Sequence, residues 1–239
     1  MMKSIESAQE APKPPAIKTH TRLEENRVSE LLDIATEVFI QHGFEGASTN
    51  DIARKANCSK TTLYSRFPTK EKLFLAVLER RMEYVFRTYA IAFPMDAPLE
   101  TTLKEYGARL LQLVMAEDQL ALMRVVSMES PRFPELGERF YELGPGRGVS
   151  YLAAYMAEQV QRGRLLKEDP ETMAQHLISL ITGGQVRWAV LGLFRRNMTS
   201  KEVQLHIDAV VGVFLRAYST SQQRKADAPS TRPAKTSSK

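Results

Sequence analysis

The chain has 239 residues, of which 43% are hydrophobic, and its formal net charge is +5. This length and apolar content support one large domain or two small ones with real cores and exclude an unfolded chain. The single cysteine, Cys58, excludes an intrachain disulfide and favours a reducing, cytoplasmic compartment. No stretch approaches the ~18 consecutive apolar residues of a membrane span, and the N-terminus lacks the apolar core of a secretory signal.

Apolar residues recur at a spacing of three or four along almost the whole chain, which predicts an all-α fold. A first helix is predicted at roughly 24–42, and two short helices begin at Ser48 and Ser59. A fourth follows Pro68-Thr69, because proline stops the helix before it. Beyond Pro98 the predicted helices are at about 99–116, 118–130, 134–143, 147–163, 169–194 and 199–218.

Local signals mark the helix ends. Ser48 and Ser59 are N-cap residues, and Thr199 with Glu202 has the spacing of a capping box. Gly43 is expected to adopt a left-handed backbone after the first helix, and Asn57 to tolerate the same geometry in the sharp turn between the two short helices.

Charge and composition divide the chain. The 21 C-terminal residues, 219–239, carry five Lys or Arg against one Asp and have no large apolar side chain, so they are expected to be a disordered basic tail. Residues 1–20 are expected to be disordered as well. Between them, residues 21–70 form a predicted three-helix unit, and residues 71–218 form a larger helical domain.

Residues 48–67 have the pattern helix, tight turn, helix. On the second helix, at 100° per residue, Leu63 and Phe67 point inward while Thr61 points outward. Small hydroxyl side chains suit a helix that enters the major groove of DNA. Between Arg54 and Lys72 there are six Lys or Arg and one Glu; alone this could be a merely solvated face, but with the helix-turn-helix spacing it favours DNA binding.

The same stretch resembles the TetR/AcrR family of transcriptional regulators. The resemblance is carried by Gly43-Phe44, by Ser48-Thr49 and Ile52-Ala53, and by two longer motifs, Ser59-Lys60-x-Thr62-Leu63-Tyr64-x-x-Phe67 and Pro68-Thr69-Lys70-Glu71-x-Leu73-Phe74. The family commonly has Gly-Val in the turn, where this chain has Asn57-Cys58; asparagine can hold the same backbone, and cysteine is a small apolar substitute. The C-terminal half resembles the AefR-like subgroup through Pro131-Arg132-Phe133-Pro134-Glu135-Leu136 and Tyr141-Glu142-x-Gly144-Pro145-x-Arg147.

The resemblance implies DNA-contacting roles for Thr49, Asn50, Ser59, Lys60, Thr61, Thr62, Tyr64 and Lys70. Thr49, Tyr64 and Lys70 match positions that grip phosphates. Lys60 and Thr61 match positions that face bases, where Asn50 joins them, and the role of Thr62 stays open between the two.

The resemblance also implies a repressor that binds a double-stranded DNA operator as a homodimer and is released by a small effector. The middle helices supply Met, Phe and Tyr and no compact charged cluster, so the effector is expected to be apolar or aromatic. Its predicted contacts are Met115, Met123, Phe133, Phe140, Tyr155 and Trp188. The predicted dimer interface is Gly184, Trp188, Val203, Ile207, Val210, Val211 and Phe214.

Two other classes of protein are compatible with a helical chain, an enzyme and a structural adaptor. A helical enzyme would need a catalytic pair, and none can be named; a structural adaptor would lack sequence-specific DNA binding. Gly144–Gly148 lacks the spacing of a phosphate loop and is expected to be a hinge between helices. Thr182-Gly183-Gly184 permits a close helix approach or a kink. The histidines have no metal-ligand spacing, Cys58 is expected to be a core residue, and neither a metal nor a cofactor is expected.

Overall fold

The computed structural model describes residues 17–89, 93–193, 198–221 and 223. All regular elements in these ranges are helical, which confirms the all-α prediction. The helices are α1 Ile17–Gly46, α2 Thr49–Lys55, α3 Lys60–Arg66, α4 Lys70–Tyr89, α5 Leu99–Val114, α6 Glu117–Glu129, α7 Pro134–Tyr141, α8 Arg147–Gln161, α9 Pro170–Val190 and α10 Ser200–Tyr218. A π-helical segment, Glu142–Gly146, joins α7 to α8.

The predicted helix caps are present. The Ser59 hydroxyl accepts a hydrogen bond from the backbone N–H of Thr62 at 3.0 Å, and Thr199 forms a reciprocal capping box at the start of α10. Asn57 has the predicted positive φ, 49°, in the turn between α2 and α3. Gly43 also has a positive φ, 67°, but its ψ of 179° is extended, so it breaks α1 without the left-handed geometry that was predicted.

The N-terminal core is built on phenylalanines. The Phe39 and Phe74 rings lie 4.8 Å apart edge to face, and Phe44 stacks on Phe39 at 5.8 Å. Buried residues of α6 and α7, such as Leu122 and Leu136, belong to the same cluster. The helix-turn-helix unit is therefore packed directly on the larger domain. The helix α4 begins at the boundary that the sequence placed at residue 70, and its first half is buried in the core of the helix-turn-helix unit.

The second core lies between α5, α8, α9 and α10. Ile207, Val211 and Phe214 of α10 are buried in it, with exposed fractions of 0%, 0% and 1%. A partner subunit cannot contact these three side chains, so their assignment to the dimer interface is wrong. Apolar residues occur on more than one side of α10, and the prediction selected the side that packs inward.

The described residues extend into both terminal segments that were predicted from composition. Residues 17–20 are helical and open α1, and the rest of the predicted N-terminal segment lies outside the described residues. Ser219 caps α10 and pairs with Leu165, while the Thr220 N–H donates to the Arg164 carbonyl at 3.1 Å. These backbone bonds attach the first tail residues to the segment between α8 and α9; the tail from residue 224 onward lies outside the described ranges.

Gly107 on α5 marks a close helix approach that the sequence analysis missed. A Cβ at this position would lie 3.1 Å from Cδ1 of Ile207 and 3.2 Å from Cδ1 of Ile181. The double glycine singled out in the sequence makes no such approach within the chain, because a Cβ on Gly183 meets nothing within 4 Å and α9 runs through it. The contact of α5 with α9 and α10 thus depends on Gly107 and not on the pair Gly183-Gly184.

Gly107→Val is expected to lower the free energy of unfolding by about 1–3 kcal/mol, because an isopropyl group of three carbon atoms must enter a filled space. Gly183→Ala is the matched control and is expected to raise it by up to ~1 kcal/mol through higher helix propensity. Urea unfolding followed by circular dichroism measures both. Equal stability of Gly107→Val and the wild type would contradict this account of the α5 contact.

Candidate nucleic-acid interface and adjoining cavity

The α2–turn–α3 unit is anchored by its apolar residues. Ile52 and Ala53 of α2 and Leu63 of α3 are buried, and Phe67 closes the end of α3. Cys58 in the turn is half-buried and packs against the same cluster. With one side held in the core, the remaining residues of α3 are presented to solvent.

The hydroxyl groups on this surface are held in place by one another. Thr49 Oγ1 and Tyr64 Oη lie 2.9 Å apart, which joins α2 to α3. The Ser59 and Thr62 hydroxyl oxygens are 2.7 Å apart, and the Ser65 hydroxyl donates to the Thr62 carbonyl at 2.9 Å. These contacts limit rotamer freedom, so the surface is organised before any ligand arrives.

Two lysines flank this surface in different ways. Lys60 is exposed, with its ammonium 5.8 Å from the centre of the Tyr64 ring. The Lys70 ammonium donates to the Glu45 carbonyl at 3.0 Å and lies 4.9 Å from the centre of the Phe44 ring. Lys70 therefore ties the start of α4 to the end of α1 as well as adding charge.

Acidic groups reduce the net positive charge of the basic patch between Arg54 and Lys72. Asp51 pairs with Arg54 at 2.8 Å. The pKa of Glu71 is lowered, chiefly by a hydrogen bond with the Thr69 side chain and then by a backbone hydrogen bond. The Glu71 carboxylate beside Lys70 therefore stays negatively charged to a lower pH than usual. Among the described residues of this patch, four exposed cations form no ion pair, namely Lys55, Lys60, Arg66 and Lys72.

The predicted DNA-contacting residues all lie on α2, on α3, at its cap, or at the start of α4. Asn50, Ser59, Lys60, Thr61 and Thr62 are exposed. The three predicted phosphate contacts, Thr49, Tyr64 and Lys70, are half-buried and engaged in the contacts described above. Their roles toward DNA stay predictions, and the geometry offers hydroxyl, amide and ammonium groups on one short stretch of chain.

A cavity of about 790 Å³ lies beside the second half of α4, enclosed also by α5 to α9. Its wall is mostly apolar, and burial raises the pKa of Tyr106 on this wall, so that its phenol stays neutral. Of the six predicted effector contacts, Met123 and Phe140 line it. Such a volume and lining are typical of small-molecule sites.

The other four predicted effector contacts lie away from this cavity. Phe133 packs 5.6 Å from Phe44 in the N-terminal core, and Tyr155 stacks on Phe93 at 4.4 Å. Met115 packs against the second core, and Trp188 is 46% exposed. None of them lies on the cavity wall. A Met, Phe or Tyr on a middle helix does not reveal from sequence whether it faces core, cavity or solvent.

The remaining features have structural explanations. Residues 144–148 continue from the π-helical segment into α8, so this backbone forms no phosphate-binding loop. The hinge expected at this junction stays a prediction. Within the described ranges, no group of three or more His, Cys, Asp or Glu side chains is placed to hold a metal ion. In that part of the chain, no helix is long and apolar enough to cross a bilayer.

The helix-turn-helix is anchored in the core, presents hydroxyl groups and lysines to solvent, and packs on a helical domain that contains a cavity. These features define a DNA-binding transcriptional regulator. Residues 31–77 match the family described as "Bacterial regulatory proteins, tetR family", and residues 101–220 match "AefR-like transcriptional repressor, C-terminal domain". The chain belongs to the TetR family of transcriptional regulators.

Curated relatives agree with this assignment. The HTH-type transcriptional regulator RutR of Escherichia coli K12 is 33% identical over 165 residues, covering 66% of this chain and 72% of the relative. The HTH-type transcriptional repressor ComR of the same organism is 30% identical over 156 residues, covering 64% and 74%. These proteins are transcriptional regulators and not enzymes, and so is this chain; the enzyme alternative is thereby excluded.

Solved structures give the same fold. The flavonoid-responsive regulator FrrA is 30% identical, with a TM-score of 0.71 over 82% of this chain and 99% of its own. A TetR-family transcriptional regulator from Mesorhizobium loti is 29% identical, with a TM-score of 0.70 over 82% and 98%.

Proposed function

We propose that this protein is a cytoplasmic, ligand-responsive repressor that binds a palindromic DNA operator as a homodimer and releases it when a small effector occupies the cavity. Two helix-turn-helix units related by a two-fold axis would contact half-sites about 34–36 Å apart, or a multiple of that distance. The proposed sign of regulation is supported by the match to the AefR-like repressor domain and by the name of ComR.

The observation that carries this proposal is the dual packing of α4. Leu73, Phe74 and Leu78 in its first half are fully buried in the core of the helix-turn-helix unit. Met82 belongs to the same core and also lines the cavity, and Val85 on the next turn lines it too. A ligand that displaces the second half of α4 therefore acts on the helix that supports α2 and α3.

Dimerisation is proposed through exposed apolar stripes on α9 and α10. Leu205, Ala209, Val213 and Ala217 recur every four residues along α10, and all are exposed. Leu180, Gly184 and Trp188 recur in the same way on α9, and Leu180 and Trp188 are 39% and 46% exposed. A stripe of this kind on adjacent helices favours a partner helix pair.

This places the proposed interface on a different side of α10 from the one first predicted. Gly184 and Trp188 stay in the proposal. Val203 and Val210 are half-buried and pack against the second core, so they can contribute only to the edge of the proposed dimer interface.

The effector is expected to weaken operator binding by about 5- to 150-fold, corresponding to a coupling of ~1–3 kcal/mol. A ligand can do this only if it binds the non-operator conformation more tightly. Operator fragments selected from genomic DNA would be titrated by fluorescence anisotropy with and without candidate compounds. Because the name of FrrA states a response to flavonoids, flavonoids belong in the panel.

The thermodynamic linkage between operator binding and effector binding supplies the control for this experiment. Operator DNA must weaken effector binding by the same factor, which isothermal titration calorimetry measures. A compound that binds equally well with and without operator is not the inducer. If every compound of a broad panel behaves in that way, the ligand-responsive part of the proposal is wrong and the DNA-binding part remains.

A further inference from the structure

The cavity wall carries positive charge without negative charge. Among the described residues that line it, three are arginines, Arg87 of α4, Arg109 of α5 and Arg147 of α8, and none is Asp or Glu. These residues are far apart in sequence and line one cavity because three helices border the same space. No charged cluster is evident in the sequence of the middle helices, because each of the three arginines comes from a different helix.

The three arginines differ in their partners. Arg147 pairs with Glu83 at 3.1 Å and lies over the Phe86 ring at 4.0 Å. No carboxylate in the described part of the chain pairs with Arg87 or Arg109.

The other arginines of α4 show that this is unusual within the helix. Arg80 pairs with Asp33 at 2.7 Å, and Arg81 pairs with Asp118. Along α4, only the arginine on the cavity wall therefore lacks an acidic partner among the described residues. Two guanidinium groups thus remain available beside an apolar space.

We propose that the effector is an amphipathic anion, with a carboxylate or similar oxyanion bound by Arg87 and Arg109 and an apolar or aromatic body held by the cavity wall. This inference rests on the proposed function of the cavity as the effector site. Guanidinium groups bind oxyanions through paired, charge-assisted hydrogen bonds. The body would contact residues such as Leu110, Leu113 and Ile178.

The proposed anion also has a route to the DNA-binding unit. Arg87 lies near the end of α4, whose first half is buried in the N-terminal core, and Arg109 lies on α5, whose buried residues belong to the second core. An oxyanion shared by the two arginines links the end of α4 to α5. The charge of the ligand, and not only its bulk, then bears on the position of α4.

A different account treats the two arginines as surface residues whose aliphatic stems cover the cavity mouth while their charged groups stay in water. Both side chains are in fact exposed. The two accounts predict different results for a charged and a neutral ligand of the same shape. Aliphatic stems would bind both ligands equally well, whereas guanidinium groups would favour the anion.

The test uses the full-length protein and two fluorescent probes of similar shape. One is 1-anilinonaphthalene-8-sulfonate, an aromatic anion, and the other is N-phenyl-1-naphthylamine, which lacks the sulfonate. Arg87→Gln/Arg109→Gln is expected to weaken binding of the anionic probe by about tenfold or more and to leave binding of the neutral probe unchanged. Lys167→Gln/Lys201→Gln, which removes two exposed positive charges outside the cavity wall, is the matched control and is expected to change neither.

Ala154→Phe, which fills space on the cavity wall, separates failure of this inference from failure of the proposed function. If it weakens both probes while the double arginine variant leaves their relative affinity unchanged, the cavity binds ligands but the arginines do not select anions, and this inference is wrong. If neither probe binds, or Ala154→Phe changes neither, the proposed effector site is itself wrong. Selective loss of the anionic probe in the arginine variant, together with loss of both in Ala154→Phe, supports the inference.

Discussion

Leu205→Glu/Val213→Glu is expected to convert the proposed dimer into folded monomers and to lower operator affinity by about 100-fold or more. Leu205 and Val213 are 62% and 47% exposed in the single chain, so glutamate is tolerated there when α10 faces water. In a dimer that covers this stripe, the unpaired carboxylates would each cost several kcal/mol, and every 1.4 kcal/mol is a factor of ten. Analytical ultracentrifugation and operator titration measure the two effects.

Two controls sharpen this experiment. Gln112→Glu/Gln161→Glu adds the same charge at exposed positions of α5 and α8 and is expected to leave the dimer intact. Val211→Glu places a carboxylate at a position that is 0% exposed in the monomer, so it is expected to unfold the chain and not merely to dissociate it. A double Leu205/Val213 variant that stays dimeric and binds the operator would place the interface elsewhere.

Lys60→Ala and Thr61→Ala are expected to relax sequence preference at particular base pairs, each by ~1–3 kcal/mol if a base contact is lost. Both side chains are exposed at the start of α3, the helix whose opposite side is anchored by Leu63. Operator variants with single base-pair changes, titrated by fluorescence anisotropy, measure the preference. Unchanged affinity and preference in both Lys60→Ala and Tyr64→Phe would show that α3 is not the helix that contacts the bases.

Lys70→Ala provides the contrast. If its ammonium meets a phosphate, its loss is expected to weaken all DNA sequences similarly and to reduce the slope of log affinity against log salt by roughly one. The structure adds a second consequence, because the Glu45 carbonyl loses its hydrogen bond. Thermal unfolding in the absence of DNA separates that loss of stability from the loss of a phosphate contact.

The helix-turn-helix unit was predictable because its signals are local. A cap at Ser59, a residue tolerant of positive φ at Asn57 and apolar residues four apart at Leu63 and Phe67 each act within one or two turns of helix. Local geometry fixes which way the intervening side chains point. The exposed hydroxyls of α3 followed directly from this periodicity.

The orientation of α10 was not predictable in the same way. Leu205, Ile207, Val211 and Val213 are all large enough and apolar enough to be buried, and they occupy different sides of the helix. The side that faces inward is decided by packing on α5, where Gly107 admits Ile207. The sequence of α10 contains no information about Gly107 on α5, so periodicity alone selected the side of α10 that is buried in the monomer.

By itself, the sequence determined the all-α class, the position of the helix-turn-helix and the resemblance to the TetR family, since caps, turns and helical periodicity depend on neighbours in the chain. The tertiary structure alone decided which apolar residues line the cavity, which side of α10 stays exposed, and that Arg87 and Arg109 reach one space from different helices. Cavities and exposed stripes arise from contacts between distant segments, and the free energy of those contacts depends on shape and burial that no local pattern encodes.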